Sequence, residues 1–312
     1  MVDNNLSSFI DEDILGLINI HIWPQRNKID PLGWIENFSE DDLGIANQLL
    51  KRFLFYPKHM TQEMFVSNFQ SLSKYIISDK SDYQNGIKEW EFFLENSFII
   101  RVTGENPSDA DSGFIFTRLA RNLLKYDEEK QILSPERAID VLNNNKNEKK
   151  FFIFVDDFVG SGSQFMEFWE RPYNESLSFD LLSKESNSEF FYIPLIVTEH
   201  GKKRINDEAP KVILQACHIL EEKDCILKLD SYIWKEARFD IGEAVKRIYE
   251  ISNEIGIEID ASQTQVNPDG TKNVMWCGHA GLGLALAFDH GYPDATIPLF
   301  YHDKGTWKPL LK

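Results

Sequence analysis

The segment Phe151-Phe152-Ile153-Phe154-Val155-Asp156-Asp157-Phe158-Val159-Gly160-Ser161-Gly162-Ser163-Gln164 constrains this chain more than any other. The pattern predicts a strand over Lys149–Val155, and a strand whose apolar character is unbroken must be covered on both faces. Two carboxylates follow it, then a loop of Gly and Ser, then a helix expected to begin near Gln164. Gly160 and Gly162 let the backbone turn tightly and come close to a ligand. Their amides, those of Ser161 and Ser163 and the helix N-terminus form an anion cradle, to which the two serine hydroxyls add donors. A phosphate fits there. Asp156 and Asp157 must then serve another part of the ligand, because like charges repel. A carboxylate accepts paired sugar hydroxyls, so a ribose next to a phosphate meets both requirements. The segment lacks the Gly-Lys-Ser/Thr of a P-loop and the G-x-G-x-x-G of a dinucleotide site.

Short apolar runs alternate with helical stretches on either side of this segment. Strands are expected at Phe98–Val102, Phe190–Thr198 and Lys211–His218, with a final pair at Gly283–Phe288 and Thr296–Tyr301. Helices are expected over Gly113–Lys125, from the Ser134-Pro135 start to about Asn143, and over Lys235–Asn253 with Ile241, Ala244, Val245, Ile248 and Ile251 inward. The first hundred residues read as helical: Ser39 with Asp42 resembles a capping box, Leu43, Ala46, Leu50, Phe53 and Leu54 share a face, and Pro57 ends that helix. Met60–Ile77 and Ile87–Asn96 read as further amphipathic helices. Their aromatic stripes are most simply core. Strands alternating with helices give an α/β fold with a parallel-sheet core, a helical N-terminal region and a C-terminal β element. The expected division is a helical region over 1–97 and an α/β domain over 98–312, packed as one unit.

With 312 residues, 42% hydrophobic and 23 of them Phe, the chain has ample core material. Its formal charge of −17 disfavours binding to nucleic acid, which depends on Lys and Arg displacing counterions. The three cysteines, Cys217, Cys225 and Cys277, lack paired C-x₂-C spacing, so a zinc site is disfavoured and a reducing compartment favoured. No signal peptide or membrane-spanning run is evident, and the expectation is a cytoplasmic protein.

Strand, acid pair and hydroxyl/glycine loop in this order resemble the signature of the type I phosphoribosyltransferases. The resemblance implies that Asp156 and Asp157 contact the ribose 2′- and 3′-hydroxyls and that Gly160, Ser161, Gly162, Ser163 and Gln164 hold the 5′-phosphate. Where that family usually has Thr, this chain has Gly160, which removes a hydroxyl and keeps the amide cradle. A looser resemblance runs from Trp34 to Leu310. Trp34-Ile35, Asp111-Ser112-Gly113, the central loop and the tail from Gly281-Leu282-Gly283 through Pro298 look like the phosphoribosyltransferase-like effectors of bacterial conflict systems, some of them retron-associated. It implies a toxic effector of anti-phage defence that binds phosphoribosyl pyrophosphate or a nucleotide and acts at the ribose anomeric carbon, with Mg²⁺ as cofactor. It also implies a reverse transcriptase or other defence-cassette protein as partner, with homo-oligomer formation open. Two alternatives remain at this point: a non-catalytic nucleotide sensor, and a nucleotide hydrolase using the same site.

Phosphoribosyl transfer also needs a pyrophosphate loop on a neighbouring strand. Thr103–Gly113 is the candidate, offering Gly104, Asp109, Asp111, Ser112 and Gly113 with Arg118 on the following helix. Its acids suit a hydrated Mg²⁺ that bridges them to pyrophosphate; an ordinary acidic surface loop is the plainer alternative. Lys202, Lys203 and Arg204 follow a buried strand and are candidates to neutralise pyrophosphate, against the alternative of a solvated helix start. His279, in a glycine-rich turn, is a weaker candidate, more simply structural.

Overall fold

The computed structural model describes residues 16–104, 113–259 and 275–312. The chain divides into two compact units: Met1–Thr61 with Glu221–Lys312, and Gln62–Leu220. The strands among the described residues are β1 (Leu54–Tyr56), β2 (Ser97–Arg101), β3 (Ile132–Leu133), β4 (Phe151–Val159), β5 (Glu189–Thr198), β6 (Val212–Leu214), β7 (His218–Leu220) and β8 (Leu286–Phe288).

The unit Gln62–Leu220 holds a six-stranded, wholly parallel sheet in the order β3-β2-β4-β5-β6, with β7 also paired to β5. A central strand in such a sheet has no solvent face. The first six residues of β4, Phe151 to Asp156, are accordingly all buried. Alternate residues of β4 and β5 feed two aromatic layers. Phe154 meets Phe165, Phe168, Trp169 and Phe179 from the helices Ser163–Glu170 and Phe179–Ser183. On the alternate residues, Phe151 and Phe191 meet Phe93 from the helix Tyr83–Glu95. The start at Ser134-Pro135 is as expected: Ser134 accepts the Arg137 amide, and the helix runs to Asn144.

The second unit is assembled from both ends of the sequence. β1 pairs in parallel with β8, Leu54 opposite Leu286 and Tyr56 opposite Phe288. Trp34 is fully buried, stacks on Phe300 with ring centroids 5.2 Å apart, and donates its indole N–H to the Leu299 carbonyl at 2.8 Å. A buried indole needs that acceptor. Arg247, on the helix Ile241–Glu254, donates from Nε and Nη2 to the two carboxylate oxygens of buried Asp42 at 2.9 and 3.0 Å.

Several expected elements differ. β4 runs four residues past Val155, because its register with β5 continues through Asp156–Pro194, Phe158–Ile196 and Val159–Val197; pairing overrides the poor strand propensity of the acids. The strand expected at Lys211–His218 is instead two, β6 and β7. Pro194 in β5 has no N–H to offer, and the Asn68 side-chain amide bridges the gap by donating to the carbonyls of Pro194 and Gln215. Cys217 therefore lies between strands and is only half-buried. Leu43–Lys51 is a helix, but the residues before Pro57 form β1, and Leu54 is exposed. Ser39 makes no capping box: its hydroxyl donates to the Asp42 carboxylate at 2.6 Å instead of accepting an amide. The helix expected from Lys235 begins at Ile241, capped by Asp240, with Ala244, Ile248 and Ile251 buried. In the tail β8 is a strand, but Pro298–Phe300 is a short 3₁₀ helix and Leu284–Thr296 a single parallel bridge. Proline at the first turn favours the helical alternative. Among the described residues no helix is long and apolar enough to cross a membrane.

Candidate functional site

The site lies at the carboxyl end of β4, where an open parallel sheet binds its ligands. The backbone leaves β4 at Val159, turns through Gly160-Ser161-Gly162 and enters the helix Ser163–Glu170. Gly162 has φ +80, the left-handed region in which a side chain is strained. Its carbonyl accepts the Met166 amide and closes the first turn. Among the described residues the amides of Gly160, Ser161 and Gly162 donate to no protein acceptor. Together with the helix N-terminus they present open donors of the kind at which anions bind. The Ser161 and Ser163 hydroxyls are 2.9 Å apart, and Ser161 Oγ also accepts the Ser163 amide at 3.3 Å.

The loop is gripped from β5 and the helix after it, Glu199–Glu208. The Thr198 hydroxyl donates to the Gly160 carbonyl at 2.6 Å and accepts the Gly201 amide at 3.0 Å, so one side chain caps that helix and fixes the loop. Gly201 is the close-approach residue: a Cβ there would lie 2.3 Å from the Gly160 carbonyl oxygen. Arg204, one turn on, donates from Nη1 to Ser163 Oγ at 2.7 Å and from Nε to Glu208 at 3.2 Å.

The two acids differ in environment. Asp156 is buried, and its carboxylate accepts the Tyr192 hydroxyl at 3.0 Å and the Asp157 amide at 3.0 Å. Asp157 is half-buried and accepts the Phe158 amide at 2.8 Å. Burial first, then the charge of Asp157 and a hydrogen bond to its carboxyl, push Asp156 well above the usual carboxylate range; the Tyr192 hydroxyl opposes this. Burial, then the charge of Asp156, pushes the Tyr192 phenol up in turn. Asp156 therefore gives up its proton less readily than an exposed carboxyl does.

Of the other candidate residues, Asp109, Asp111 and Ser112 lie outside the described residues. Gly104 follows β2, Gly113 begins the helix Gly113–Leu123, and Arg118 on that helix is exposed beside a cleft of about 230 Å³ shared with Phe114, Thr117 and Arg121. Lys203 is exposed and pairs with Asp207, whereas Arg204 points at the loop. His279 faces Asp294 at 3.8 Å. Among the described residues no group of three His, Cys, Asp or Glu is placed to hold a metal ion.

Tyr192, Thr198 and Gly201 went unnoticed in the sequence. The signal for the last two was legible: a strand ending in Thr, with Gly at the third helical position, is an N-cap next to a close backbone contact. Arg101 was also missed. It ends β2 opposite Val155, and its guanidinium lies 3.4 Å from the centre of the Phe114 ring.

The family described as PRTase-CE matches residues 31–312. The chain belongs to the PRTase-CE family. That match covers both units and all the site residues described above, so the phosphoribosyltransferase-like assignment extends beyond the central loop. Two solved structures are also similar to this PRTase-CE protein. Orotate phosphoribosyltransferase from Aeropyrum pernix is 16% identical, with 47% of this chain and 75% of that chain covered and a TM-score of 0.24. A protein from Aquifex aeolicus is 15% identical, with 47% and 64% covered and a TM-score of 0.26. No curated protein matches.

Proposed function

We propose that this PRTase-CE protein binds a 5-phosphorylated ribose, as phosphoribosyl pyrophosphate or a nucleotide, and acts at its anomeric carbon. The observation that carries the reading is the loop Gly160–Gly162, with three amides open to an anion, fixed from behind by Thr198 and Gly201 and set beside Asp156 and Asp157. The 5′-phosphate would sit on the loop and the ribose hydroxyls on the acid pair, with Asp157 the more accessible acceptor. In the transfer reaction a nucleophile bonds to C1 of the ribose and the C1–oxygen bond to pyrophosphate breaks. Pyrophosphate leaves with the electron pair, and the nucleophile's proton passes to a base. Positive charge develops on the sugar, so the protein's share of the work is positioning and electrostatic stabilisation.

This reading calls for magnesium as a companion of pyrophosphate. Bound there, it would take most of its oxygens from substrate and water, as is usual for this ion. Bound so, it would stabilise charge on the leaving group. A role as a toxic effector of anti-phage defence, spending phosphoribosyl pyrophosphate or a nucleotide, rests on the resemblance of the tail and loop motifs to such effectors.

Heat denaturation with phosphoribosyl pyrophosphate and Mg²⁺ tests the reading. Ligand at about 100 times its Kd stabilises a protein by about 2.7 kcal/mol. The wild type is expected to shift by that order, and Asp157→Asn by much less. A wild type unmoved by phosphoribosyl pyrophosphate, nucleoside monophosphates or ribose 5-phosphate overturns the reading.

A further inference from the structure

An anion site needs positive charge, yet from Phe151 to Glu170 the sequence has no Lys or Arg and four carboxylates: Asp156, Asp157, Glu167 and Glu170. Amide dipoles alone would have to hold a phosphate dianion in a chain whose formal charge is −17. We propose that Arg204, borrowed from the helix after β5, is the cation of the phosphate cradle, and that it recognises the phosphate monoester rather than the leaving pyrophosphate. The proposal rests on the functional reading above.

Three observations carry it. First, Arg204 is built into the site: its side chain is only 16% exposed, and its Nη1 lies 2.7 Å from Ser163 Oγ, at the first residue of the cradle's helix. Secondly, its helix cannot drift from the loop, because Thr198 ties the cap to Gly160 and Gly201 leaves no gap between the two backbones. Thirdly, the hydrogen bonds have a direction. Arg204 has donors only, so Ser163 Oγ accepts from it and is free to pass its own hydrogen to Ser161 Oγ, 2.9 Å away. Ser161 Oγ then accepts from both the Ser163 hydroxyl and the Ser163 amide. Its own hydroxyl hydrogen is left to donate to an anion on the loop. The guanidinium thus acts on the ligand directly by charge and indirectly by orienting two hydroxyls. Glu208 holds Arg204 from the other side at 3.2 Å, so it competes with an incoming phosphate for the same cation. Lys203, salt-bridged to Asp207 in solvent, has no such role.

The test is calorimetric titration of the full chain with ribose 5-phosphate, using Arg204→Gln, Arg204→Lys and Glu208→Gln, with the ligand-free melting midpoint of each as control. Loss of a charge-assisted hydrogen bond is expected to weaken Arg204→Gln binding by about 10- to 100-fold. Arg204→Lys should recover part of that loss, because the charge returns without the planar fork. Glu208→Gln should bind more tightly than wild type, an effect that no merely structural role for Arg204 produces. If wild type binds and both Arg204→Gln and Glu208→Gln bind as it does, this inference falls and the functional reading stands. If Arg204→Gln is too unstable to titrate, an unchanged affinity in Glu208→Gln overturns the inference. If wild type binds neither ribose 5-phosphate nor inorganic phosphate, both fall.

Discussion

Replacing Gly201 by alanine probes how the phosphate loop is held. Alanine normally favours a helix over glycine by about 1 kcal/mol. At Gly201 the added carbon would meet the Gly160 carbonyl oxygen at 2.3 Å and Val159 Cγ1 at 3.0 Å, where ordinary contact begins at 3.4 Å. Loop and helix must therefore part by the difference between 3.4 and 2.3 Å, about 1.1 Å. A separation of that size takes the Thr198–Gly160 hydrogen bond, now 2.6 Å, beyond bonding range. Overpacking costs about 1–3 kcal/mol and the lost hydrogen bond about 1, against the helix gain of about 1. The net expectation for Gly201→Ala is a loss of about 1–3 kcal/mol in urea unfolding, with much weaker ribose 5-phosphate binding. Gly44→Ala is the control. It lies in the helix Leu43–Lys51, its added carbon meets only Phe239 at an ordinary 3.4 Å, and it should be neutral or slightly stabilising. A Gly201→Ala protein as stable as wild type, with unchanged affinity, refutes the close approach and the grip argued from it.

Two further predictions concern buried carboxyls. Burial and the Asp157 charge hold Asp156 above its ordinary value of 3.8, so above 3.8 the unfolded chain gives up this proton more readily than the folded chain, and stability falls as pH rises towards the folded value. Asp156→Asn, which can still accept from Tyr192, should be more stable than wild type at pH 7 and lose that advantage near pH 3; an advantage independent of pH in denaturation curves refutes the assignment. Asp42 is the opposite case: burial pushes it up, but the hydrogen bonds from Arg247 and Ser39 outweigh burial and hold it below the ordinary value. Its stabilising contribution is present above the ordinary carboxylate value of 3.8 and is lost as pH falls through the lower, folded one. Arg247→Ala should cost about 2–4 kcal/mol at pH 7, moderated by the 30% exposure of Arg247, and the difference from wild type should shrink on acidification. A pH-independent difference would mean that packing, not charge, is lost.

The elements that could be read from the sequence were those set by local chemistry. The unbroken apolar run of β4, the Ser134-Pro135 start and the strand at Glu189–Thr198 each carry their own signal. What could not be read depends on partners distant in sequence. β1 is three residues long and is a strand only because β8 lies beside it. The split of β6 from β7 depends on Pro194 in the neighbouring strand and on Asn68, more than a hundred residues upstream. At the site, the loop and acid pair announced themselves as a motif. Thr198, Gly201, Tyr192 and Arg204 act through contacts made about forty residues away along the chain, and single-residue patterns do not encode contacts. The upward shift of Asp156 belongs to the same class, since it needs burial as well as a neighbour.

The pairing of β1 with β8 also sets an order of events during synthesis. Leu54 precedes its partner Leu286 by about 230 residues, and at about 5–20 residues per second a translating ribosome needs roughly 10–50 s to supply them. All of Gln62–Leu220, with its parallel sheet, leaves the ribosome within that interval. The N-terminal portion of the other unit is thus made first and completed last, with Trp34 and Phe53 awaiting Phe300. Until then the rings that pack on Phe300 have no partner, so that core closes only after the parallel-sheet unit has been made.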